Sequence, residues 1–286
     1  MGQIISGKKL AETIKNGLKL DVEEYKIKYG RAPHLVVILV GDDPGSKSYV
    51  AGKEKASIEV GITNTTIVKE ASISEEELLN IINDLNNDDS VDGILVQLPL
   101  PKHINESKVI ESIALEKDVD GFHPLNVASL YLKKPGIIPC TPLGIMEIIK
   151  SINYDLTGKN VCVIGRSTIV GLPVSKLLLD ANATVTTCHS RTKDLASVTS
   201  KADVLVVAIG KPKFVTADMV KDGAVVIDVG VNRDPETNKL CGDVDFANVA
   251  DKTSYITKVP GGVGPMTICC LMKNTVQAYL RKYENN

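Results

Sequence analysis

The second half of the chain repeats one pattern, in which a short apolar run rich in β-branched residues is followed by a helix or a short connection. The runs cover residues 161–165, 184–189, 204–210 and 224–230. Short buried strands that alternate with helices are typical of parallel sheets. Three of the runs end in glycine, which lets a bound molecule approach the backbone closely at the carboxyl edge of the sheet. The pattern predicts an α/β fold.

The first half alternates helices and strands in a similar way. The predicted elements are, in order, an amphipathic helix from the N-terminus through Tyr25, a strand over 35–40, a helix over 46–60 that stops at Gly61, a strand over 65–68, a helix that starts at a capping box of Ser74 and Glu77, and a strand over 93–98. Pro99 and Pro101 must end the last strand, because proline cannot donate to a ladder. The polar Gln97 is therefore left at the carboxyl edge, where open α/β sheets bind ligands.

A long irregular segment separates the two halves. Residues 117–142 show little periodicity and contain several glycines and prolines, so we place the domain boundary near their end. The prediction is one α/β domain over 1–140, a second over 141–267, and a C-terminal helix over 268–286 that packs back on the first domain.

Composition excludes several classes of function. The 33 basic and 35 acidic side chains are spread evenly, so no basic face is available to bind nucleic acid. No apolar stretch approaches the roughly 20 residues that a membrane span needs. The six cysteines have no CxxC spacing and the four histidines do not cluster with cysteines or carboxylates, so we expect buried thiols, a reducing cytoplasmic location and no metal site.

Residues 161–171 join an apolar strand, a glycine turn and a helix start, an arrangement that can receive a pyrophosphate on helical N–H groups. The turn departs from G-x-G-x-x-G, because Ser167 holds the middle position and the last glycine falls one residue late. A plain strand-to-helix turn is therefore the alternative. The next strand ends in Cys188-His189-Ser190-Arg191 and lacks the carboxylate that binds the ribose hydroxyls of NAD.

Three side chains near this turn, Arg166, Ser190 and Arg191, can instead bind a ribose phosphate, since guanidinium matches phosphate in geometry and charge. The sequence therefore favours NADP over NAD. His189 is interpreted as a packed or phosphate-facing residue rather than as a catalytic base.

Tyr49 and Lys53 are four residues apart in the predicted helix after the first strand, so they lie on one face. Both side chains can reach the same cleft. On spacing alone, an ordinary surface lysine beside an aromatic ring is the alternative.

Six blocks in the chain resemble the signature segments of bifunctional methylenetetrahydrofolate dehydrogenase/cyclohydrolases. They are GDDPGSKSYVAGK (41–53), GILVQLPLP (93–101), KDVDGFHP (117–124), PCTP (139–142), GRSTIVGLP (165–173) and PGGVGPMT (260–267). Their order matches and they extend over nearly the whole chain, so the set is far more specific than a single glycine loop.

The resemblance implies an enzyme of one-carbon folate metabolism that supplies purine biosynthesis. It would oxidise methylenetetrahydrofolate with NADP and hydrolyse the methenyl product to formyltetrahydrofolate. The expected architecture is a catalytic domain with a mostly parallel sheet, a Rossmann-type NADP-binding domain, and a cytoplasmic homodimer joined through the cofactor domains. A reduced folate is the expected small-molecule partner, with neither nucleic acid nor a membrane.

The resemblance also assigns site residues. Tyr49, Lys53, Gln97 and Asp120 fall on the catalytic positions. The expected substrate contacts are these four together with Val96, Leu98, Pro260, Gly261, Gly262, Val263 and Gly264. The expected cofactor contacts are Gly165, Arg166, Ser167, Ile169, His189, Ser190, Arg191, Gly210, Gly230, Val231 and Thr267.

Two other hypotheses account for part of these residues. A shikimate dehydrogenase-like NADP oxidoreductase could use Lys53 and Asp120, but it would leave Tyr49 and the PGGVG loop without a purpose. A dinucleotide-sensing or scaffold protein without catalysis is disfavoured by the joint presence of Lys53, Gln97 and Asp120.

Overall fold

The computed structural model describes residues 2–284, which form two compact units. The six-stranded unit, named after its larger sheet, contains the chain up to Glu12 together with Thr141–Thr267. The three-stranded unit contains Thr13–Cys140 together with the chain from Ile268 onward. Within the described residues, no helix combines the length and the apolar character that crossing a membrane requires.

Helices and strands alternate along most of the chain. The elements of the first half are β1 (Gln3–Ile5), α1 (Gly7–Tyr29), β2 (His34–Val40), α2 (Pro44–Val60), β3 (Thr63–Lys69), α3 (Glu75–Asn86), β4 (Gly93–Val96), α4 (Glu106–Ser112) and α5 (Pro124–Tyr131). Those of the second half are α6 (Cys140–Ser151), β5 (Asn160–Ile164), α7 (Gly171–Asp180), β6 (Thr184–Cys188), α8 (Leu195–Thr199), β7 (Val204–Val207), β8 (Val225–Asp228), β9 (Asn232–Arg233), β10 (Leu240–Cys241), α9 (Phe246–Val249), β11 (Tyr255–Thr257) and α10 (Val263–Glu284).

The sheet of the three-stranded unit is parallel, in the order β3-β2-β4. After β2 the chain forms β3 on one side of β2 and then β4 on the other side. A topological switch point therefore lies between β2 and β4. Ligands of open α/β sheets bind outside the carboxyl ends of the strands at such a point. All of β4, and all of β2 after His34, is buried, which explains why both strands are continuous apolar runs.

The C-terminal helix α10 completes this unit. The side-chain amide of Asn274 donates to the carbonyl oxygens of Val119 and Ile138 at 2.9 Å each. The hydroxyl of Tyr279 donates to the carbonyl of Arg31 at 2.8 Å. The prediction that the last helix packs back on the first domain is confirmed.

Asp92 forms a buried ionic centre in the same unit. Its fully buried carboxylate accepts hydrogen bonds from both guanidinium nitrogens of Arg31 at 2.6 and 2.8 Å and from the backbone N–H of His34 at 2.9 Å. The ammonium of Lys282, on α10, lies 2.8 Å from it. Burial acts to raise the pKa of Asp92, but the hydrogen bonds from Arg31 and Lys282 outweigh it, so the pKa is lowered.

We expect Asp92→Asn to lower the free energy of unfolding of the three-stranded unit by about 3 kcal/mol at pH 7, because it leaves two cations facing a neutral partner. Since the native pKa is lowered, the ionised carboxylate stabilises the fold above about pH 4, the ordinary pKa of aspartate, and this contribution is lost as the pH falls through the native value. The difference between wild type and variant should therefore shrink from pH 7 to pH 3.

Urea denaturation followed by tyrosine fluorescence measures this loss, because six of the eight tyrosines lie in the three-stranded unit. The matched control is Asp89→Asn, at an exposed position in the same connection, which should change stability by less than about 0.5 kcal/mol. Equal losses in the two variants would contradict the role assigned to Asp92.

The larger sheet is parallel throughout, in the order β1-β11-β8-β7-β5-β6. From β5 the chain proceeds to β6 on one side and then to β7 on the other, which places a second switch point between β5 and β7. The prediction of two α/β domains with parallel sheets is confirmed.

The N-terminus differs from its prediction. Residues 3–5, expected to belong to the first helix, form β1, which pairs in parallel with β11. Three residues are too few for a strand pattern to be recognised in the sequence. As a result, the chain up to Glu12 groups with Thr141–Thr267, whereas the sequence places residues 1–140 in one domain.

Two further differences concern the ends and the number of elements. The strands expected to run to Gly165, Gly210 and Gly230 stop one to three residues earlier, so these glycines lie in the following loops. The helix α5 lies within the segment interpreted as irregular, and its first residue is Pro124.

None of the cysteines forms a disulfide within the described residues.

Candidate active site

The ends of β2 and β4 bring Lys53 and Gln97 together. The helix α2 follows β2, and its N-cap residue Asp43 accepts a hydrogen bond from the backbone N–H of Ser46 at 2.7 Å. Lys53 is only 8% exposed, and its ammonium donates to the side-chain oxygen of Gln97 at 2.9 Å. The side-chain N–H of Gln97 donates to the carbonyl of Leu98 at 2.7 Å, which fixes the amide with its oxygen toward the lysine.

Tyr49 lies one helical turn before Lys53 on α2. Its side chain is 40% exposed, and partial burial raises the pKa of its phenol. The neutral phenol therefore presents an aromatic surface and a hydroxyl at physiological pH. Val96, at the end of β4, is buried, and Leu98 is half-buried.

Asp120 is presented by a loop that runs beside β4. The backbone N–H of Ile94 donates to the carbonyl of Lys117 at 2.8 Å, and Ile94 pairs with Asp118 as an isolated parallel bridge. Burial raises the pKa of Asp120, whereas the positive charge of Lys53 acts in the opposite direction. The site thus combines a phenol, an amine, an amide and a carboxyl group within one unit.

Sequence reasoning missed the two residues that shape this loop. Asp118 accepts hydrogen bonds from the backbone N–H groups of Gly121 at 3.1 Å and His123 at 2.8 Å, and from the side-chain amide of Asn126 at 2.8 Å. The ammonium of Lys117 donates to three carbonyl oxygens at the end of α3, at 2.7 to 2.8 Å. Both residues belong to the KDVDGFHP block, so their place there was the available signal.

Cys140 was also missed as a neighbour of Asp120. Its buried thiol donates to the carbonyl of Val119 at 3.4 Å, and Asn274 donates to its sulfur at 3.4 Å. Burial raises the pKa of Cys140 well above its ordinary value, and the carboxyl of Asp120 acts in the same direction. Cys140 is therefore a neutral thiol.

The glycine turn after β5 is closely packed. A Cβ atom at Gly165, where φ is +124°, would lie 2.3 Å from the carbonyl oxygen of Ala208, and one at Gly171 would lie 2.3 Å from the carbonyl of Gly165. The hydroxyl of Ser167 accepts from the backbone N–H groups of Val170 and Gly171 at 3.2 Å each. Ser167 therefore satisfies N–H groups at the start of α7, whose N-cap residue is Val170, from the place where a dinucleotide motif usually has glycine.

The turn after β6 carries Arg191. The backbone N–H of Arg191 donates to His189 Nδ1 at 3.1 Å, and the backbone N–H of His189 donates to the hydroxyl of Thr192 at 2.9 Å. The side chains of Ser190, Arg191 and, after the adjacent strand β5, Arg166 are exposed. Among the residues that the structure describes, neither arginine forms an ion pair with a carboxylate.

Gly210, Gly230 and Val231 follow β7 and β8 at the same edge of the sheet. Val231 is 46% exposed and Ile169, in the turn after β5, is 38% exposed, so the edge offers apolar surface as well as guanidinium groups. A buried carboxylate, Asp243, binds both loops through hydrogen bonds to Gly210 at 3.1 Å and Asn232 at 2.8 Å.

The PGGVG loop lies in the six-stranded unit. The backbone N–H of Lys8 donates to the carbonyl of Gly261 at 3.0 Å, and a Cβ atom at Gly7 would lie 1.9 Å from the carbonyl of Gly262. The hydroxyl of Thr267 is 3.0 Å from that of Thr141. The PGGVG loop is therefore packed closely against the start of α1.

The residues of the turns after β5, β6 and β8 fit NADP. The second strand ends without a carboxylate, so no negative charge opposes a ribose phosphate. Arg166, Ser190 and Arg191 could hold that phosphate, and the exposed aliphatic side chains of Ile169 and Val231 could contact the rings.

Comparison with known proteins identifies the family. Residues 5–120 match the profile of the tetrahydrofolate dehydrogenase/cyclohydrolase catalytic domain. Residues 139–283 match the profile of the NAD(P)-binding domain of the same family. The two matches cover most of the chain.

Relatives match along the full length. The bifunctional protein FolD of Listeria innocua is 53% identical over 286 residues, with all of both chains covered. A crystal structure of the FolD methylenetetrahydrofolate dehydrogenase/cyclohydrolase from Campylobacter jejuni is 50% identical, with a TM-score of 0.96 over 99% of this chain and all of that one. The Trypanosoma brucei enzyme, crystallised with NADP and an inhibitor, is 37% identical, with a TM-score of 0.95 over 99% and 98% of the two chains. The chain thus belongs to the tetrahydrofolate dehydrogenase/cyclohydrolase family.

Proposed function

We propose that Tyr49, Lys53, Gln97 and Asp120 form the folate site at which the chain carries out both reactions of its family. These are the NADP-dependent oxidation of methylenetetrahydrofolate to methenyltetrahydrofolate and the hydrolysis of that product to formyltetrahydrofolate. The observation that carries the proposal is the 2.9 Å hydrogen bond between Lys53 and Gln97 at the switch point of β2 and β4.

In the oxidation, NADP supplies the acceptor for the hydride that leaves the methylene carbon. The task of the protein is to hold the folate in line, because the reaction depends on the approach of two carbons. The ring of Tyr49 offers a flat face for the folate ring system. Asp120 accepts hydrogen bonds from the amino-pyrimidine edge of the pterin. The turn that carries it is closed by Asp118, which accepts from the backbone N–H groups of Gly121 and His123.

In the hydrolysis, water adds to the methenyl carbon and protons must move as the ring opens. Lys53 is the group in the site that is suited to this transfer, since its amine is nearly buried and is held by a neutral partner. Gln97 orients the amine without adding a charge of its own. Its amide is in turn fixed by the carbonyl of Leu98, so the lysine and the amide form a short chain of oriented donors.

The remaining assignments follow the family resemblance. Substrate contacts extend to Val96, Leu98 and residues 260–264. Contacts to the cofactor come from the turns after β5, β6, β7 and β8 and from Thr267. The proposal includes a cytoplasmic homodimer joined through the cofactor-binding domains and a contribution to purine biosynthesis through the formyl product.

Asp120→Ala tests the placement of the folate. We expect the KM for both folate substrates to rise by about 10-fold to 100-fold, because the variant loses charge-assisted hydrogen bonds to the pterin. The Kd for NADP, measured by titration calorimetry, should stay within about twofold of wild type. The matched control is Glu116→Ala, an exposed carboxylate in the same loop. An unchanged folate KM in the Asp120 variant would remove this residue from the site.

A further inference from the structure

We propose that Asp243 is a positioning residue that sets the affinity of the six-stranded unit for NADP without contacting the cofactor. Its own backbone is held by a hydrogen bond to the side chain of Asp228. The proposal rests on the placement of NADP at the carboxyl edge of the larger sheet. It assigns a task to two carboxylates that the folate site does not use and that the sequence patterns did not point out.

Asp243 is completely buried, and four donors converge on it. One carboxylate oxygen accepts from the backbone N–H groups of Ile209 at 2.7 Å and Gly210 at 3.1 Å. The other accepts from the backbone N–H of Lys211 at 2.7 Å and from the side-chain amide of Asn232 at 2.8 Å. Three consecutive N–H groups of one loop therefore point at one side chain, so the path of that loop is set by Asp243 and not by β-sheet pairing.

The position of Asp243 is in turn fixed by Asp228, the last residue of β8. The carboxylate of Asp228 accepts from the backbone N–H groups of Gly230 at 3.0 Å, Asp243 at 2.9 Å and Val244 at 3.0 Å. The two carboxylates thus form a relay of contacts from β8 to the loop after β7. Donors surround both side chains, as buried polar groups require. At Asp228, burial and the nearby Asp243 carboxylate outweigh these hydrogen bonds and raise its pKa to about 7.

The neighbouring glycines make room for these carboxylates. A Cβ atom at Gly230 would lie 2.3 Å from the carboxylate of Asp243. A Cβ atom at Gly242 would lie 1.8 Å from a carboxylate oxygen of Asp228. At Gly230, which was expected to admit the cofactor, the group that approaches the backbone is a side chain of the protein itself.

The loop that Asp243 holds also borders the glycine turn. The backbone N–H of Ala208 donates to the carbonyl of Ile164 at 2.8 Å, and its own carbonyl fills the space beside Gly165. The loops after β5, β7 and β8 therefore meet at one point, on both sides of the switch point between β5 and β7. A site whose loops are already ordered loses less conformational freedom on binding, so it binds its ligand more tightly.

The test is Asp243→Asn in the full-length protein. An amide keeps one acceptor oxygen but turns an NH₂ group toward two N–H donors, so the loop after β7 loses its fixed path. We expect the Kd for NADP, measured by titration calorimetry, to rise about tenfold or more. The dehydrogenase kcat at saturating NADP should fall much less than kcat/KM. Hydrolysis of methenyltetrahydrofolate needs no hydride acceptor and should stay within about threefold of wild type.

The matched control is Asp203→Asn. The half-buried Asp203 accepts a hydrogen bond from the backbone N–H of Asn160 at 2.9 Å and forms an ion pair with Lys221, but it lies at the amino edge of the larger sheet. Its NADP affinity should remain within about twofold of wild type. A folded Asp243→Asn protein with normal NADP affinity would overturn the proposal, and so would equal losses of NADP affinity and hydrolysis, since these indicate a purely structural residue.

A milder variant covers the case in which Asp243→Asn does not fold. Asn232→Ala removes one of the four donors and should raise the Kd for NADP by about threefold to tenfold, while an unchanged Kd would overturn the proposal. Arg191→Ala, at an exposed position assigned to the ribose phosphate, separates this inference from the placement of NADP. If this variant loses NADP and Asp243→Asn does not, only the positioning role fails. If both bind NADP normally, the placement at this edge is wrong as well.

Discussion

Lys53→Met is expected to reduce cyclohydrolase turnover by about 10²-fold to 10⁴-fold, the range that a positioned acid or base contributes. Methionine has nearly the length of lysine and can occupy the same buried position, but it cannot donate to Gln97 or move a proton. The Kd for NADP should stay near the wild-type value, because the turns assigned to the cofactor belong to the six-stranded unit. Loss of methenyl absorbance measures hydrolysis, and calorimetry measures NADP binding.

The chain contains a close control for this experiment. Lys55 lies on the same helix, its side chain is 80% exposed and it forms a surface pair with Glu59. Lys55→Met makes the same chemical change outside the site and should leave hydrolysis within about twofold of wild type. If Lys53→Met hydrolyses methenyltetrahydrofolate as fast as Lys55→Met does, the role proposed for Lys53 must be abandoned.

Arg191→Ala is expected to raise the KM for NADP by about 10-fold to 100-fold, because hydrogen bonds to a charged partner contribute roughly 1.5–3 kcal/mol each. The KM for NAD should change by no more than about twofold, since that cofactor lacks the ribose phosphate. Initial rates of methylenetetrahydrofolate oxidation with either cofactor measure both values. Raising the salt concentration should weaken NADP binding to the wild type more than to the variant.

Arg233→Ala is the control for Arg191. Arg233 is another exposed arginine of the six-stranded unit, and its guanidinium donates to the carbonyl of Asn238 in the turn between β9 and β10. Its replacement should leave the ratio of the two KM values unchanged. Parallel increases for NADP and NAD in Arg191→Ala would show that the arginine does not discriminate the phosphate.

The parts of the fold that the sequence predicted depend on neighbouring residues. Gly61 ends α2 in a left-handed conformation with φ of +87°, and Ser74 caps α3 by accepting from the N–H of Glu77 at 3.1 Å. Helix periodicity likewise predicted that Tyr49 and Lys53 share a face. The placing of Lys53 and Gln97 in one site came from the family resemblance, because the strand order that brings them to one switch point was not predicted.

The features that were missed depend on residues far apart in the chain. Asp92 and Arg31 are 61 positions apart, and Asp243 and Ile209 are 34 apart. A single sequence does not reveal such pairs. The residues next to an aspartate in the sequence do not show whether its side chain is buried or exposed. The pairing of β1 with β11 has the same character, because its register exists only once both ends of the chain have folded.

The shikimate dehydrogenase-like hypothesis and the non-catalytic hypothesis were separated from the folate enzyme by motifs rather than by architecture. A strand, a glycine turn and a helix are common to many dinucleotide-binding proteins, so the turn after β5 alone could not decide between them. The six blocks distinguished the folate enzyme from the other two hypotheses because they extend over both halves of the chain, as the two matching family domains do.

The packing of Gly230 on Asp243 and of Gly242 on Asp228 ties the identities of four positions together. A side chain at either glycine and a carboxylate opposite it are mutually exclusive, at separations of 2.3 and 1.8 Å. Such residues can be inherited or transplanted only as a block. An engineer who redesigns the cofactor preference of this protein therefore has freedom at the end of β6, but has to carry the four positions over unchanged.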